Sequence, residues 1–145
     1  MLRKFLFMLL LLPALAFASD GVTASGISDG LNNKGRVTLY FNFDTGSVYV
    51  DSSCFHILDK LAEVMKRRPD MKISVQAHTD TLGTPEGRVK LSTARAEVIK
   101  SALMMRGIDD GRIAVKGLGS AHPIADNATK TGRFKNSRVD IVALK

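Results

Sequence analysis

One arginine on the wrong side of an apolar helix constrains this chain more than any other feature. The segment Ala77-His78-Thr79-Asp80-Thr81-Leu82-Gly83 joins an apolar, alternating stretch to a helix that starts at Thr84-Pro85-Glu86. That start combines an N-cap threonine, a proline in the first turn and an early acid. At about 100° per residue, Leu91, Ala94, Val98, Ile99, Ala102 and Met105 share one arc of this helix, and Arg95 falls inside it. A core-side guanidinium keeps its charge and needs an anionic partner. Asp80, at the mouth of the preceding strand, is the nearest candidate in sequence. The two side chains either hold each other and finish the fold, or grip the opposite charges of an amino acid.

Around this strand–helix unit the rest of the chain falls into order. Val37, Leu39, Phe41 and Phe43 alternate with Thr38, Tyr40 and Asn42, as a half-buried strand does. Asp44-Thr45-Gly46 breaks it. The spacing of Cys54, Ile57, Leu58, Leu61, Ala62, Val64 and Met65 predicts a helix over Ser52 to Arg68 with a wide buried face. Lys66-Arg67-Arg68 complements its C-terminus and Pro69 ends it. Lys72 to His78 reads as the second strand. The arginine-bearing helix runs to about Arg106, where Gly107 can close it in the left-handed conformation. Arg112 to Lys116 is a short third strand, Gly117 to Ser137 a long loop, and Arg138 to Leu144 the last strand. A loop of that length either carries function or packs on itself. Ser19 to Gly35, rich in Gly, Ser and Asn, reads as a short linker or arm with room for one helical turn near Ile27. The element order is β-α-β-α-β-β, in which two helices cover one face of a four-stranded sheet and the other face meets solvent.

Several short motifs stand in register along this frame: Ala77-His78-Thr79-Asp80, Gly83, Leu91-Ser92, Arg95-Ala96, Gly117-x-Gly119-x-x-x-Pro123, Gly132-Arg133 and Asn136-x-Arg138-Val139. In order and spacing they resemble the OmpA-like C-terminal domain, from about Val37 to Ile141. The resemblance implies an α+β two-layer sandwich on a four-stranded mixed sheet, residues 36–145. It also implies a periplasmic module that binds peptidoglycan non-covalently through the diaminopimelate of the stem peptide. Asp80 and Arg95 match the two ligand-gripping positions. Thr79, Arg88, Leu91 and Arg138, at or beside matched motif positions, are candidate contacts with them. On this reading Asp80 accepts from the ligand ammonium and Arg95 offers its planar fork to the carboxylate on the same carbon. Arg88 stands where the family usually has asparagine, Ala77 where it has glycine, and Ser137 where it has the first arginine of Asn-Arg-Arg-Val.

The chain start, Met1-Leu2-Arg3-Lys4 followed by an apolar run and Ala16-Phe17-Ala18, reads as a secretory signal peptide cleaved after Ala18. Phe5 to Ala18 is shorter than the roughly 20 residues a bilayer crossing needs. The expected location is the periplasm, with association to the outer membrane as an extension of it. The formal charge of +7 includes two cations of that segment, and the remainder suits a polyanionic surrounding without naming a partner. Export and the lack of a basic, aromatic-laced strand face disfavour nucleic acid. The only cysteine, Cys54, cannot close an internal disulfide and reads as a small buried residue, with pairing between chains as the alternative.

His78, Asp80 and His122 form a weak metal pattern, and Ser92, His78 and Asp80 lack any nucleophile elbow. No enzyme, cofactor or metal is expected. His78 reads as a hydrogen-bonded structural histidine. Gly117 and Gly119 read as positions of backbone freedom, and Arg133 and Arg138 either line the ligand path or stabilise the loop. The partners implied are peptidoglycan and an outer-membrane or other envelope protein. The alternative function is an adaptor whose loop Gly117 to Ser137 or arm Ser19 to Gly35 docks an envelope assembly, with wall binding secondary.

Overall fold

The computed structural model describes residues 21–145. The signal-peptide reading lies outside them. Eight elements follow one another: α1 (Ala24–Asn33), β1 (Arg36–Leu39), α2 (Phe55–Arg67), β2 (Lys72–Ala77), α3 (Pro85–Met104), β3 (Ile113–Gly117), α4 (Lys130–Asn136) and β4 (Val139–Leu144). The sheet runs β1-β4-β2-β3. β4 is antiparallel to both its neighbours and β2 is parallel to β3, so the sheet is mixed. Register places Val37 opposite Ile141, Ile141 opposite Val75, and Val75 opposite Val115. This row faces α2 and α3. Beneath it lie Ile57, Leu58, Leu61, Met65, Ile99 and Leu103, each almost wholly buried.

Cys54 is fully buried at the start of α2, within this core. An inter-chain bridge through it would require the helix start to open.

Four differences from the expectation have identifiable causes. The segment read as an arm with one helical turn holds a ten-residue helix, α1, capped by Thr23 accepting from Gly26 N at 3.0 Å. Ile27 and Leu31, one turn apart, are buried in the main core. Two large apolar residues among glycines and asparagines are a faint signal, since packing against α2 and β1 holds this helix more than propensity does.

β1 stops at Leu39 although burial continues through Tyr40 and Phe41. The ladder partner β4 begins at Val139, directly opposite Leu39, so nothing remains to pair with.

The long loop contains α4, whose N-cap Thr129 accepts from Gly132 N at 2.9 Å. Buried Asn136 knits loop to helix: its Oδ1 accepts from Ile124 N and Ala125 N, and its Nδ2 donates to Ala125 O and Asn127 Oδ1. The helix-free face is therefore covered at one end, where Phe134 of α4 stacks on Tyr40 at 5.3 Å.

Finally, the buried stripe of α3 is Ser92, Arg95, Ala96, Ile99 and Leu103, one position round from the expected arc. Met105, placed in that arc, is 87% exposed. Small residues decide the rotation by allowing close approach. A Cβ on Gly117 would lie 2.1 Å from Thr93 Oγ1, so β3 meets α3 only because that position is glycine. Steric closeness, not backbone freedom, explains Gly117; Gly119 does adopt a positive φ of 54°.

Candidate functional site

Three segments meet at the C-terminal end of β2: the β1–α2 loop around Asp44 to Ser47, the β2–α3 loop Thr79 to Gly83, and the first half of α3. Arg95 reaches out of α3 at 5% exposure. Its Nε donates to Ser47 O at 2.8 Å and its Nη2 to Asp44 O at 3.0 Å. The guanidinium carbon sits 4.6 Å from the centre of the Phe43 ring, within cation–π range. Among the described residues Nη1 has no hydrogen-bond partner, and it is not sealed from solvent. Burial pushes the Arg95 pKa down, and the negative charge of Asp80 opposes that shift. Asp44, Ser47 and Phe43 carried no signal in the sequence, because two of them act through backbone carbonyls that any residue possesses.

Asp80 is half-buried. Its Oδ1 accepts from Leu82 N at 2.9 Å, an Asx turn that shapes the loop, and its Oδ2 accepts from none of the described residues. The two charged groups sense each other but form no salt bridge. Each retains one uncommitted polar atom, an acceptor on Asp80 and a donor on Arg95. Cavities of about 230 to 430 Å³ open elsewhere on the surface, lined by other residues.

The other sequence candidates separate. Arg88 is a clamp on the Asp80 loop. Its Nη2 donates to Thr81 O at 2.6 Å and Gly83 O at 2.7 Å, and its Nη1 to Ser120 Oγ at 3.1 Å across the β3–α4 loop. Thr79 is buried, its N–H donating to Gly119 O and its hydroxyl to Asp80 O. Leu91 is half-buried on α3. Ser92, fully buried, donates to Val89 O and accepts from Gly119 N, holding the turn after β3 to the helix.

Arg138 belongs to another cluster. It lies on the helix-free face, buried, with its Nε 3.4 Å from Asp140 Oδ2 and its Nη2 donating to His122 O at 3.1 Å. Arg133 donates to Asn127 O within the loop. His78 shares the Arg138 face: its Nε2 is 3.1 Å from Asp140 Oδ2, a contact that, against burial, helps hold the Asp140 carboxyl pKa down although the N–H lies off that line, and its Nδ1 has no hydrogen bond among the described residues. The expected structural histidine thus has its polar partner through Nε2 and none through Nδ1. Ser92 and His78 lie on opposite faces of the sheet and cannot act on one substrate atom.

Four strands, two helices beneath them and an acid–base mouth at the end of β2 define a small α+β module of the β-α-β-α-β-β type, with α1 and α4 added. The chain belongs to the OmpA family, which matches residues 41–137. It is 41% identical over 88 residues to "Peptidoglycan-binding protein ArfA" of Mycobacterium tuberculosis, covering 61% of this chain and 27% of that protein. It is 38% identical over 120 residues to "Probable lipoprotein YiaD" of Escherichia coli, covering 83% and 53%. The chain thus spans about a quarter to a half of these curated relatives. Among solved structures it is similar to the peptidoglycan-associated lipoprotein from Burkholderia pseudomallei, with a TM-score of 0.67 and 31% identity over 74% of this chain and 89% of that one.

Proposed function

We propose that this protein is a non-catalytic peptidoglycan-binding module of the periplasm that grips one end of diaminopimelate between Asp80 and Arg95. The observation that carries the reading is the pair of uncommitted atoms. Among the described residues Asp80 keeps Oδ2 and Arg95 keeps Nη1 without a partner, and the two charges have not collapsed onto each other. A salt bridge that merely completed the fold would have used both. An amino acid's ammonium fits the first atom and its carboxylate the second. The relatives support the class of ligand, since one is named for binding peptidoglycan and another for association with it.

Arg95 is nearly buried, so a carboxylate that takes both terminal nitrogens draws Nη2 away from Asp44 O and shifts the loop 44–47. Arg88 contributes by fixing the loop that carries Asp80, not by touching the ligand.

Calorimetry with a diaminopimelate-containing stem peptide, against the same peptide carrying lysine, tests this reading. Lysine lacks the second carboxylate, and one charge-assisted bond is worth about 1.5–3 kcal/mol, so its affinity should fall at least tenfold. Equal affinity for both peptides would remove Arg95 from the site. A folded Asp80→Ala protein that still sediments with purified sacculi would remove Asp80.

A further inference from the structure

The helix-free face of the sheet carries a second charged site that the wall-binding reading does not use. Register lines up Thr38, Asp140, Gln76 and Lys116 in one row across all four strands. Arg36 rises from the β1 edge and Lys116 from the β3 edge. They border one cavity of about 230 Å³ over the central strands, with Gln76, His78, Leu118, His122, Arg138 and the Asp140 carboxylate on its walls.

The charges here do not balance. Asp140 is buried and already engaged: Thr38 Oγ1 donates to it at 2.7 Å and Arg138 stands 3.4 Å away. Arg138 in turn donates from Nη1 to Asn136 O and from Nη2 to His122 O. Arg36 and Lys116 have no ion pair or hydrogen bond among the described residues. Two permanent positive charges therefore share a recess whose one carboxylate among the described residues, Asp140, is already met by Thr38, Arg138 and His78.

His78 is the second observation. It forms part of the cavity wall at 4% exposure; its Nε2 lies 3.1 Å from Asp140 Oδ2, off the line of a strict hydrogen bond, and its Nδ1 has no hydrogen bond among the described residues. A buried polar group left so costs about 1–3 kcal/mol and calls for a reason. Its ring lies edge-on behind that of His122, centroids 6.2 Å apart, and His122 itself is exposed. A ligand that turns the His122 ring aside supplies the partner that His78 Nδ1 lacks.

We propose that this cavity binds a phosphate-class dianion, held between Arg36 and Lys116 with His78 as the inner donor. Two uncompensated cations match two negative charges, and guanidinium and ammonium groups are the usual phosphate donors. The recess has room for the phosphate and part of what carries it, so the source is either a soluble phosphate ester or a phosphate headgroup on a lipid surface.

The test is an NMR titration of the mature protein with inorganic phosphate near neutral pH, at ionic strength held constant with chloride. Saturable shifts are expected at Arg36, Gln76, Lys116 and His122, with a change in the His78 ring signals. The exposed-site variant Arg36→Gln/Lys116→Gln should fold normally and bind at least tenfold more weakly. Asp80→Ala should keep phosphate binding while losing sacculi, which separates this site from the mouth. Sedimentation with phosphatidic acid vesicles, but not phosphatidylcholine ones, lost in the double variant, assigns the lipid source. Saturable phosphate shifts without vesicle binding assign a soluble ester. Shifts that track ionic strength alone, or that survive in the double variant, overturn the proposal.

Discussion

Arg95 and Asp80 face one mouth, yet their removal should have different consequences for stability. Arg95→Ala deletes two hydrogen bonds from a charged donor, to Ser47 O at 2.8 Å and Asp44 O at 3.0 Å, and the stacking of the guanidinium on Phe43. Charge-assisted bonds are worth about 1.5–3 kcal/mol each and a partly desolvated cation–π contact about 1 kcal/mol. Against these stand the desolvation of the buried guanidinium, which its lowered pKa records, and the ability of the half-exposed loop carbonyls to find water. The net loss is about 3 kcal/mol. At roughly 3–5 °C per kcal/mol for a domain of this size, Tm should fall by about 10–15 °C. Asp80→Ala loses one bond to Leu82 N, worth about 1 kcal/mol, and should shift Tm by only a few degrees. Both proteins should fail to sediment with sacculi. Thermal denaturation, with hydrogen exchange at the Ser47 amide that now donates to Asp44 O, reads the difference. If Arg95→Ala melts like the parent and its Ser47 amide stays protected, the guanidinium does not tether the loop, and the account of its divided donors is wrong.

Arg88→Ala frees the carbonyls of Thr81 and Gly83, so stem-peptide affinity should drop about tenfold, the worth of roughly 1.4 kcal/mol in pre-organising a loop; unchanged affinity with raised exchange in the loop would show that Asp80 needs no clamp. Burial raises the Asp140 carboxyl pKa, but the His78 imidazole, the Thr38 hydroxyl and the Arg138 guanidinium more than reverse it, leaving it below its ordinary value. A depressed folded-state value means the stabilisation is present above the unfolded pKa of about 4 and is lost as pH falls through the lower folded one. Acid titration of stability should therefore be shallower in Asp140→Asn, and an identical slope in the two proteins would refute the assignment. Ile27→Ala, in the helix that precedes β1, should cost about 2–5 kcal/mol in denaturant melts because the side chain is 1% exposed in the main core; a change below 0.5 kcal/mol, the scale of a surface substitution, would return that segment to the status of an arm.

What could be read without the structure was whatever neighbours in sequence decide. The two-residue alternation of Val37 to Phe43 and of Ile73 to Ala77, the i, i+3, i+4 pattern from Cys54 to Met65, and the Thr84-Pro85 cap are local signals, and they located the strands, α2 and the start of α3. The family was legible for the same reason, since its motifs are short and their spacing survives in the chain. Local signals failed where packing overrode propensity: α1 rests on two buried side chains, and α4 on the amide network of Asn136.

Only the folded molecule decided what each charged group does. Arg95 is divided between two carbonyls nearly fifty residues upstream, Arg88 turned out to hold backbone, and Arg138 left the mouth for the far side of the sheet. Sequence periodicity tells which side of an element a side chain leaves from. It carries no information on which distant carbonyl or carboxylate waits there, because that is set by strand order and loop path. The sequence by itself therefore determined the sheet, its two main helices and an acid and a base near its end. The tertiary structure alone determined which of their polar atoms remain available.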